Sequence, residues 1–296
     1  MSTETVDPRF VDLDRWPTAL AVEAMLEGQL AAVAAIKSQT GAIAAACDAA
    51  APRLLRGGRL VYAGAGTSGR IAVQDGVELY PTYNWPRDRL VFLLAGGTDA
   101  LAESAEGAED DADAARAGVV AEGVGADDIV IGVAASGRTP FTVAVVEAAR
   151  GAGALTIGVA NNPDSVLLAA ADHAIVADTG SEPVAGSTRM KAGTAQKVVL
   201  NLLSTALMLR CGLVYRGLMV NMRVSNDKLA HRATAIVCQT AQVGEAAANA
   251  ALSAADQDIK LAVLLAKGWQ ADVARAALAR HHNNLRAALE AGDRHA

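Results

Sequence analysis

The chain has 296 residues, 52% of them hydrophobic, 20% charged and 3% aromatic, with a formal net charge of −6. That much apolar sequence excludes a disordered chain and suffices for one large α/β domain, or one domain with an appendage. The acidic balance argues against nucleic acid as a main partner, because a phosphate backbone needs a basic face.

Residues 1–17 read as an irregular arm ending at Trp16-Pro17, and no basic region precedes an apolar core, so no signal peptide is expected. From Thr18, read as an N-cap, to about Ala51 the positions Leu20, Met25, Leu26, Leu30, Val33 and Ile36 recur near 3.6 residues. This predicts helix, divided at Gly41. Five strand-length runs follow, Leu60–Ala63, Leu90–Ala95, Ile129–Ala134, Leu155–Ala160 and Ala174–Val176. Several are apolar without alternation, as strands buried on both faces of a parallel sheet are. Turns rich in Gly, Ser, Thr and Asn come after them, where open α/β sheets bind ligands. Residues 188–211 predict a long helix with a polar start, and about 225–250 another. Three short amphipathic helices, 256–266, 270–280 and 283–291, predict a small terminal module. The expected division is therefore 1–50 as arm and packing helices, 51–252 as the sheet domain and 253–296 as the helical module.

No apolar run approaches the roughly 18–20 residues of a membrane span. Cys47, Cys211 and Cys238 show neither C-x-x-C nor Cys/His metal spacing, and read as small hydrophobes in a reducing compartment. A soluble, cytoplasmic protein is expected, with no membrane partner and no metal. The five histidines show no ligand spacing, and neither H-E-x-x-H nor G-x-S-x-G is present.

Gly64, Gly66 and Gly69 satisfy G-x-G-x-x-G, the dinucleotide spacing. That reading requires an acid roughly 20 residues on, at the end of the next strand. Here the first acid after that strand is Asp99, thirty residues past Gly69 and beyond two glycines. Thr67 and Ser68 instead supply hydroxyls, and a helix starting there aims N–H groups at the same point, which suits a phosphate. The tripeptide Ser-Gly-Arg recurs at 68–70 and 136–138, the second time followed by Thr139. A third polar cluster holds Ser187, Thr188, Arg189, Lys191 and Lys197. Cations at a helix start oppose its dipole, so an anionic ligand or a carboxylate is expected nearby. Taken alone, Glu78 and Glu109 read as solvated helix-face acids, the latter inside the charged run 103–113.

The ordered set Gly64–Arg70, Asp75–Glu78 with Pro81-Thr82, Glu106–Asp110, Ala134–Pro140, Ala160–Pro163, Ala185–Lys197, Asn201–Thr205 and Leu218-Met-Val closely resembles the N-acetylmuramic acid 6-phosphate etherase family of the sugar-isomerase (SIS) fold. The resemblance implies a flavodoxin-like parallel sheet flanked by helices, with a small three-helix module at the end. It implies cleavage of the D-lactyl ether at C3 of N-acetylmuramic acid 6-phosphate by elimination and water addition, without a cofactor, in cell-wall sugar recycling. It turns Glu78 and Glu109 into the acid/base pair, donor to departing lactate and base at C2. It assigns substrate binding to Gly66, Thr67, Ser68, Ser136, Gly137, Arg138, Thr139 and Ser187. Apart from the resemblance, the charge of Arg189 or Lys191 suits the lactate carboxylate. A homodimer with sites near the subunit interface is also implied. One departure stands out: family members often carry Thr-Glu-x-Arg near the start, and here Val6 follows Thr3-Glu4 at the arginine's place. A sugar-phosphate isomerase and a non-catalytic sugar-phosphate sensor are the competing readings on this fold.

Overall fold

A computed structural model describes residues 2–103 and 107–292; Glu106 of the resembling set and the last four residues, 293–296, lie outside the described residues. By its internal contacts the chain divides into two compact units, Met1–Gly76 with Asp88–Ala206, and Val77–Arg87 with Leu207–Ala296.

The first unit is built on five parallel strands, β1 (Leu60–Gly64), β2 (Leu90–Leu94), β3 (Ile129–Ala134), β4 (Leu155–Ala160) and β5 (His173–Val176), in the order β2-β1-β3-β4-β5. Every residue of β1, β3 and β4 is buried. This is why the three runs carry no alternation: both faces are covered by helices. Each expected strand is present, within a residue of its expected ends.

The helical start differs in detail. Helix α1 (Thr18–Ala35) has Pro17, not Thr18, at its N-cap, and makes no side-chain cap bond. The break before α2 (Thr40–Leu55) is a 3-10 turn, Ile36–Gln39, rather than Gly41, which falls in the first turn of α2. Helix α2 packs on β3, β4 and β5. Helix α1 buries only Ala32 and leaves Leu20, Leu26 and Leu30 more than half exposed. The expected core stripe of α1 is therefore solvent-facing in a single chain. By length and composition alone the helical stretch Thr18–Leu55 passes for a membrane span, a test that apolar helices of soluble proteins also pass.

After β1 comes α3 (Gly66–Tyr83), and α4 (Ala112–Ala121), α5 (Pro140–Gly151), α6 (Val166–Ala170) and α7 (Lys191–Arg210) follow their strands in turn. A buried carboxylate holds α3 to α7. Asp75 accepts hydrogen bonds from the Tyr62 hydroxyl (2.8 Å), Asn201 Nδ2 (2.6 Å) and Ser204 Oγ (3.1 Å). Burial beside that carboxylate pushes the Tyr62 phenol well above its ordinary range.

The second unit is helical around one core running from Tyr215 to Leu289, with Ile236, Val237, Leu252, Leu261, Leu264, Leu278 and Leu285 inside. The helix expected over 225–250 is two, α8 (Asp227–Ala241) and α9 (Glu245–Ala254), because Gln242 takes a left-handed φ of 59° and ends the first. Then come α10 (Ile259–Ala266), α11 (Ala271–Arg280) and α12 (Leu285–Gly292), the three expected short helices. The boundary expected at 252 falls inside this unit, since α8 and α9 share its core with the last three helices. Lys260 is fully buried there, its ammonium donating to the Asn283 carbonyl (2.9 Å), and burial pushes its pKa down to about 8.

Candidate active site

The strand order fixes where a ligand has room. The chain leaves β1 for β2 on one side, then crosses to β3 on the other, so β1 and β3 are neighbours whose connections diverge. Gly64 pairs with Val133. The turns that follow, 65–68 and 135–139, therefore start side by side at the carboxyl edge of the sheet.

In the first turn the helix starts at once. Gly66, Thr67 and Ser68 form the first turn of α3, whose leading N–H groups have no partner within the helix. Gly64 and Gly69 lie against each other, so two of the three motif glycines serve close helix–strand packing. Ser68 is buried and Thr67 half-buried. Arg70 is turned away from this point: its guanidinium donates to the carbonyls of Ala100 and Leu101 at 3.0–3.2 Å, tying down the connection after β2.

The second turn is more open. Ser136 Oγ accepts from the Arg138 N–H (3.1 Å), which leaves the Ser136 proton free to donate. Gly137 has a φ of +62°, and a Cβ there meets Ser165. Arg138 is exposed. Thr139 is the N-cap of α5 but makes no cap bond with its hydroxyl, and Pro140 opens the helix.

Glu109 belongs to the connection between β2 and α4. There a 3-10 turn, Ala108–Asp110, follows Gly107, whose φ is +73°. This turn packs on α5, the helix Thr139 opens. Ala108 points into the core under it, and Glu109 is exposed. Glu78, also exposed, lies on α3, as the sequence implied.

The third cluster is arranged differently from expectation. Helix α7 starts at Lys191 rather than 188, so Ser187, Thr188 and Arg189 form the turn before it. Its first N–H groups are already satisfied. Glu182, fully buried, accepts from the Lys191 N–H and the Ala192 N–H, both at 2.9 Å. The Lys191 ammonium donates to the Ser181 carbonyl (2.8 Å), and the residue is only 7% exposed. An internal carboxylate thus caps the start of α7, and of Arg189 and Lys191 only Arg189 is exposed. Sequence reasoning missed Glu182, which carries no motif of its own. A methyl group added at Gly193 on α7 lies 3.6 Å from the Thr67 methyl, so the starts of α3 and α7 meet.

Among the described residues no group of His, Cys, Asp or Glu is placed to hold a metal ion. Three sizeable cavities, of about 580, 810 and 680 Å³, are lined by residues of the second unit. The one under the β1 turn is only about 10 Å³. The hydroxyls of the two turns and the start of α3 lie at the carboxyl edge of the sheet, where β1 and β3 end side by side.

Residues 42–150 match the model of the glucokinase regulatory protein N-terminal SIS domain, and residues 109–206 that of the SIS domain. The chain is 48% identical over 265 residues to a Deinococcus radiodurans protein named N-acetylmuramic acid 6-phosphate etherase, covering 90% of this chain and 87% of that one. A Streptomyces coelicolor protein of the same name is 47% identical over 293 residues, covering 98% and 94%. Among solved structures, a Bacteroides fragilis protein named as a phosphosugar isomerase involved in capsule formation shares the fold, with a TM-score of 0.51 and 22% identity over 68% of this chain and 95% of that one.

Proposed function

The chain belongs to the N-acetylmuramic acid 6-phosphate etherase family, and from that premise we propose that it cleaves the D-lactyl ether at C3 of N-acetylmuramic acid 6-phosphate. The products are D-lactate and N-acetylglucosamine 6-phosphate. The observation that carries the reading beyond family membership is the pairing of two hydroxyl-bearing turns on the adjacent strands β1 and β3, with the turn of Glu109 packed on the helix the second one opens.

The 6-phosphate sits where the start of α3 meets the 136–139 turn. It accepts from the N–H groups of the helix start and from the hydroxyls of Thr67, Ser68, Ser136 and Thr139. Gly137 lets the backbone approach, and Arg138 adds charge from the open side. With that end fixed, the open-chain sugar presents C2, whose proton is acidic because it is α to the C1 aldehyde. Glu109 takes this proton, the C3–O bond breaks, and Glu78 protonates the departing lactate oxygen. Water then adds to C3 of the unsaturated aldehyde, and a proton returns to C2. Arg189 meets the lactate carboxylate.

The same reading makes the enzyme a homodimer. Among the described residues of one chain, Leu20, Leu26 and Leu30 of α1 stay more than half exposed, and a row of that length is ordinarily buried against a partner. Glu78 follows Thr67 by eleven residues on one helix, about 16 Å of axial rise. A phosphate at the start of α3 is thus served by Glu109 of its own chain and Glu78 of the second copy. The three free cysteines fit a reducing, cytoplasmic setting.

The test is release of D-lactate from N-acetylmuramic acid 6-phosphate by the purified protein, with ¹⁸O from labelled water entering the sugar at C3. Glu78→Gln and Glu109→Gln each lower turnover by about 10²–10⁴. Mixed dimers of the two inactive variants regain activity, since one of their two sites holds both glutamates. Label in lactate, or near-normal turnover of either variant, sinks the mechanism. Binding without lactate release favours a sensor.

A further inference from the structure

We infer that Thr3 is a positioning residue of this site, because the amino-terminal arm braces two of the connections that carry ligand-binding residues, the one bearing Ser136 and Thr139 and the one bearing Arg189. Thr3 is fully buried although it lies at the very start of the chain. Its Oγ1 accepts from Asn162 Nδ2 (3.1 Å), and the same amide donates to the carbonyl of Ala135 (2.9 Å), the residue before Ser136. Its carbonyl accepts from the N–H of Gly186 (3.1 Å), the residue before Ser187. One residue therefore touches the support of the 136–139 turn and the backbone of the 187–189 turn. These connections leave different strands, β3 and β5, and Thr3 joins them beside Asn161, whose N–H donates to the Ala135 carbonyl (3.0 Å) and whose amide donates to those of Ala177 and Ala192 (2.9 and 3.4 Å).

A second anchor keeps the arm in place. Asp7 is buried, and Ser181 Oγ donates to its Oδ2 (3.0 Å), at the start of the same 181–189 segment. The Arg9 guanidinium and the Arg9 N–H donate to the Asp7 carboxylate at 2.7–3.0 Å. They hold it ionised well below the usual carboxylate range, so the anchor persists at any working pH. The arm crosses no part of the chemistry. Its effect is on how well the two turns fit one ligand together.

The inference rests on reading those turns as the sugar-phosphate site, so its test measures binding as well as turnover. Thr3→Val keeps the shape and removes the acceptor; Thr3→Ser keeps it. For Thr3→Val, the KM for N-acetylmuramic acid 6-phosphate and the calorimetric Kd for N-acetylglucosamine 6-phosphate both rise about tenfold, near 1.4 kcal/mol. Its kcat stays within about twofold, and Thr3→Ser behaves as wild type. Ser181→Ala, which loosens the other end without altering buried Thr3, raises both constants about threefold, and keeps the test open if Thr3→Val folds poorly. Wild-type affinity in Thr3→Val and Ser181→Ala, or a fall in kcat at unchanged KM, overturns the inference. Wild-type protein that binds the sugar phosphate but releases no D-lactate refutes the etherase reading alone, and the binding comparison still decides on Thr3. Wild-type protein that binds no sugar phosphate overturns both.

Discussion

The tripeptide Ser-Gly-Arg occurs twice, each time after one of two adjacent strands, and the two copies have different environments. At 68–70 it lies within the first turns of α3: Ser68 is buried, Gly69 packs on Gly64, and Arg70 is fastened to the carbonyls of Ala100 and Leu101. At 136–138 it lies before α5: Ser136 is half-buried, Gly137 is left-handed, and Arg138 is exposed. The difference is where the helix begins. In the first turn it starts at Gly66, so the arginine is a helix residue facing a neighbouring loop. In the second it starts at Pro140, so the arginine stays in the turn and faces solvent. Repetition in the sequence reports a shared place at the sheet edge, and not a shared set of contacts.

The largest effect that sharpens this contrast comes from the glycines. Gly137→Ala forces a left-handed backbone on alanine and drives its Cβ into Ser165. Strain of about 1–3 kcal/mol adds to overpacking of similar size. Urea unfolding should show a loss of about 4 kcal/mol. Gly66→Ala, with a φ of +51° and open space around it, loses about 1–2 kcal/mol. Equal losses would break the comparison.

The arginines give the next effect. Arg70→Ala removes a charged donor from two carbonyls and lowers stability by about 2 kcal/mol. It also loosens the connection leading to Glu109, so kcat falls with it. Arg138→Ala leaves stability within about 0.5 kcal/mol and raises KM several-fold by removing a cation beside the phosphate. If Arg138→Ala is the more destabilised of the two, the contacts have been read the wrong way round.

The smallest effect on stability is expected from the hydroxyls. Ser136→Ala removes a donor to the phosphate together with the acceptor for the Arg138 N–H, and Ser68→Ala removes a donor alone. Each raises KM by about tenfold, with Ser136 the larger, because a hydrogen bond to a charged group contributes about 1.5–3 kcal/mol. Thermal unfolding should barely move for either, which separates these serines from Gly137.

The candidate site was legible in its pieces and illegible in its joints. Thr67, Ser68, Ser136 and Thr139 announce themselves as hydroxyls in glycine turns after apolar runs. Glu182 and the contacts of Thr3 do not, since a lone acid before proline and a threonine near a terminus carry no local pattern. The cationic start of α7 points to an anionic ligand or a carboxylate; a carboxylate, Glu182, lies nine residues before Lys191 in the chain and caps the backbone N–H groups of Lys191 and Ala192, while Arg189 stays exposed. The period of α1 predicts a helix that packs on the domain, and the structure leaves Leu20, Leu26 and Leu30 exposed. Periodicity reports that one face of a helix is apolar, but what covers that face is a property of packing.

By itself the sequence determined the parallel sheet, its five strands, the order of the polar turns and the family. Strand burial and turn chemistry are local or short-range, and they leave a mark on residue type. Only the tertiary structure decided which side chains of those turns are open to a ligand. It set Arg70 and Lys191 to neighbouring carbonyls, left Arg138 and Arg189 exposed, and tied the start of the chain to the turns before Ser136 and Ser187. Those outcomes depend on partners ten, about thirty and more than a hundred and fifty residues away, and on the residue where a helix begins, and neither is written in the local pattern.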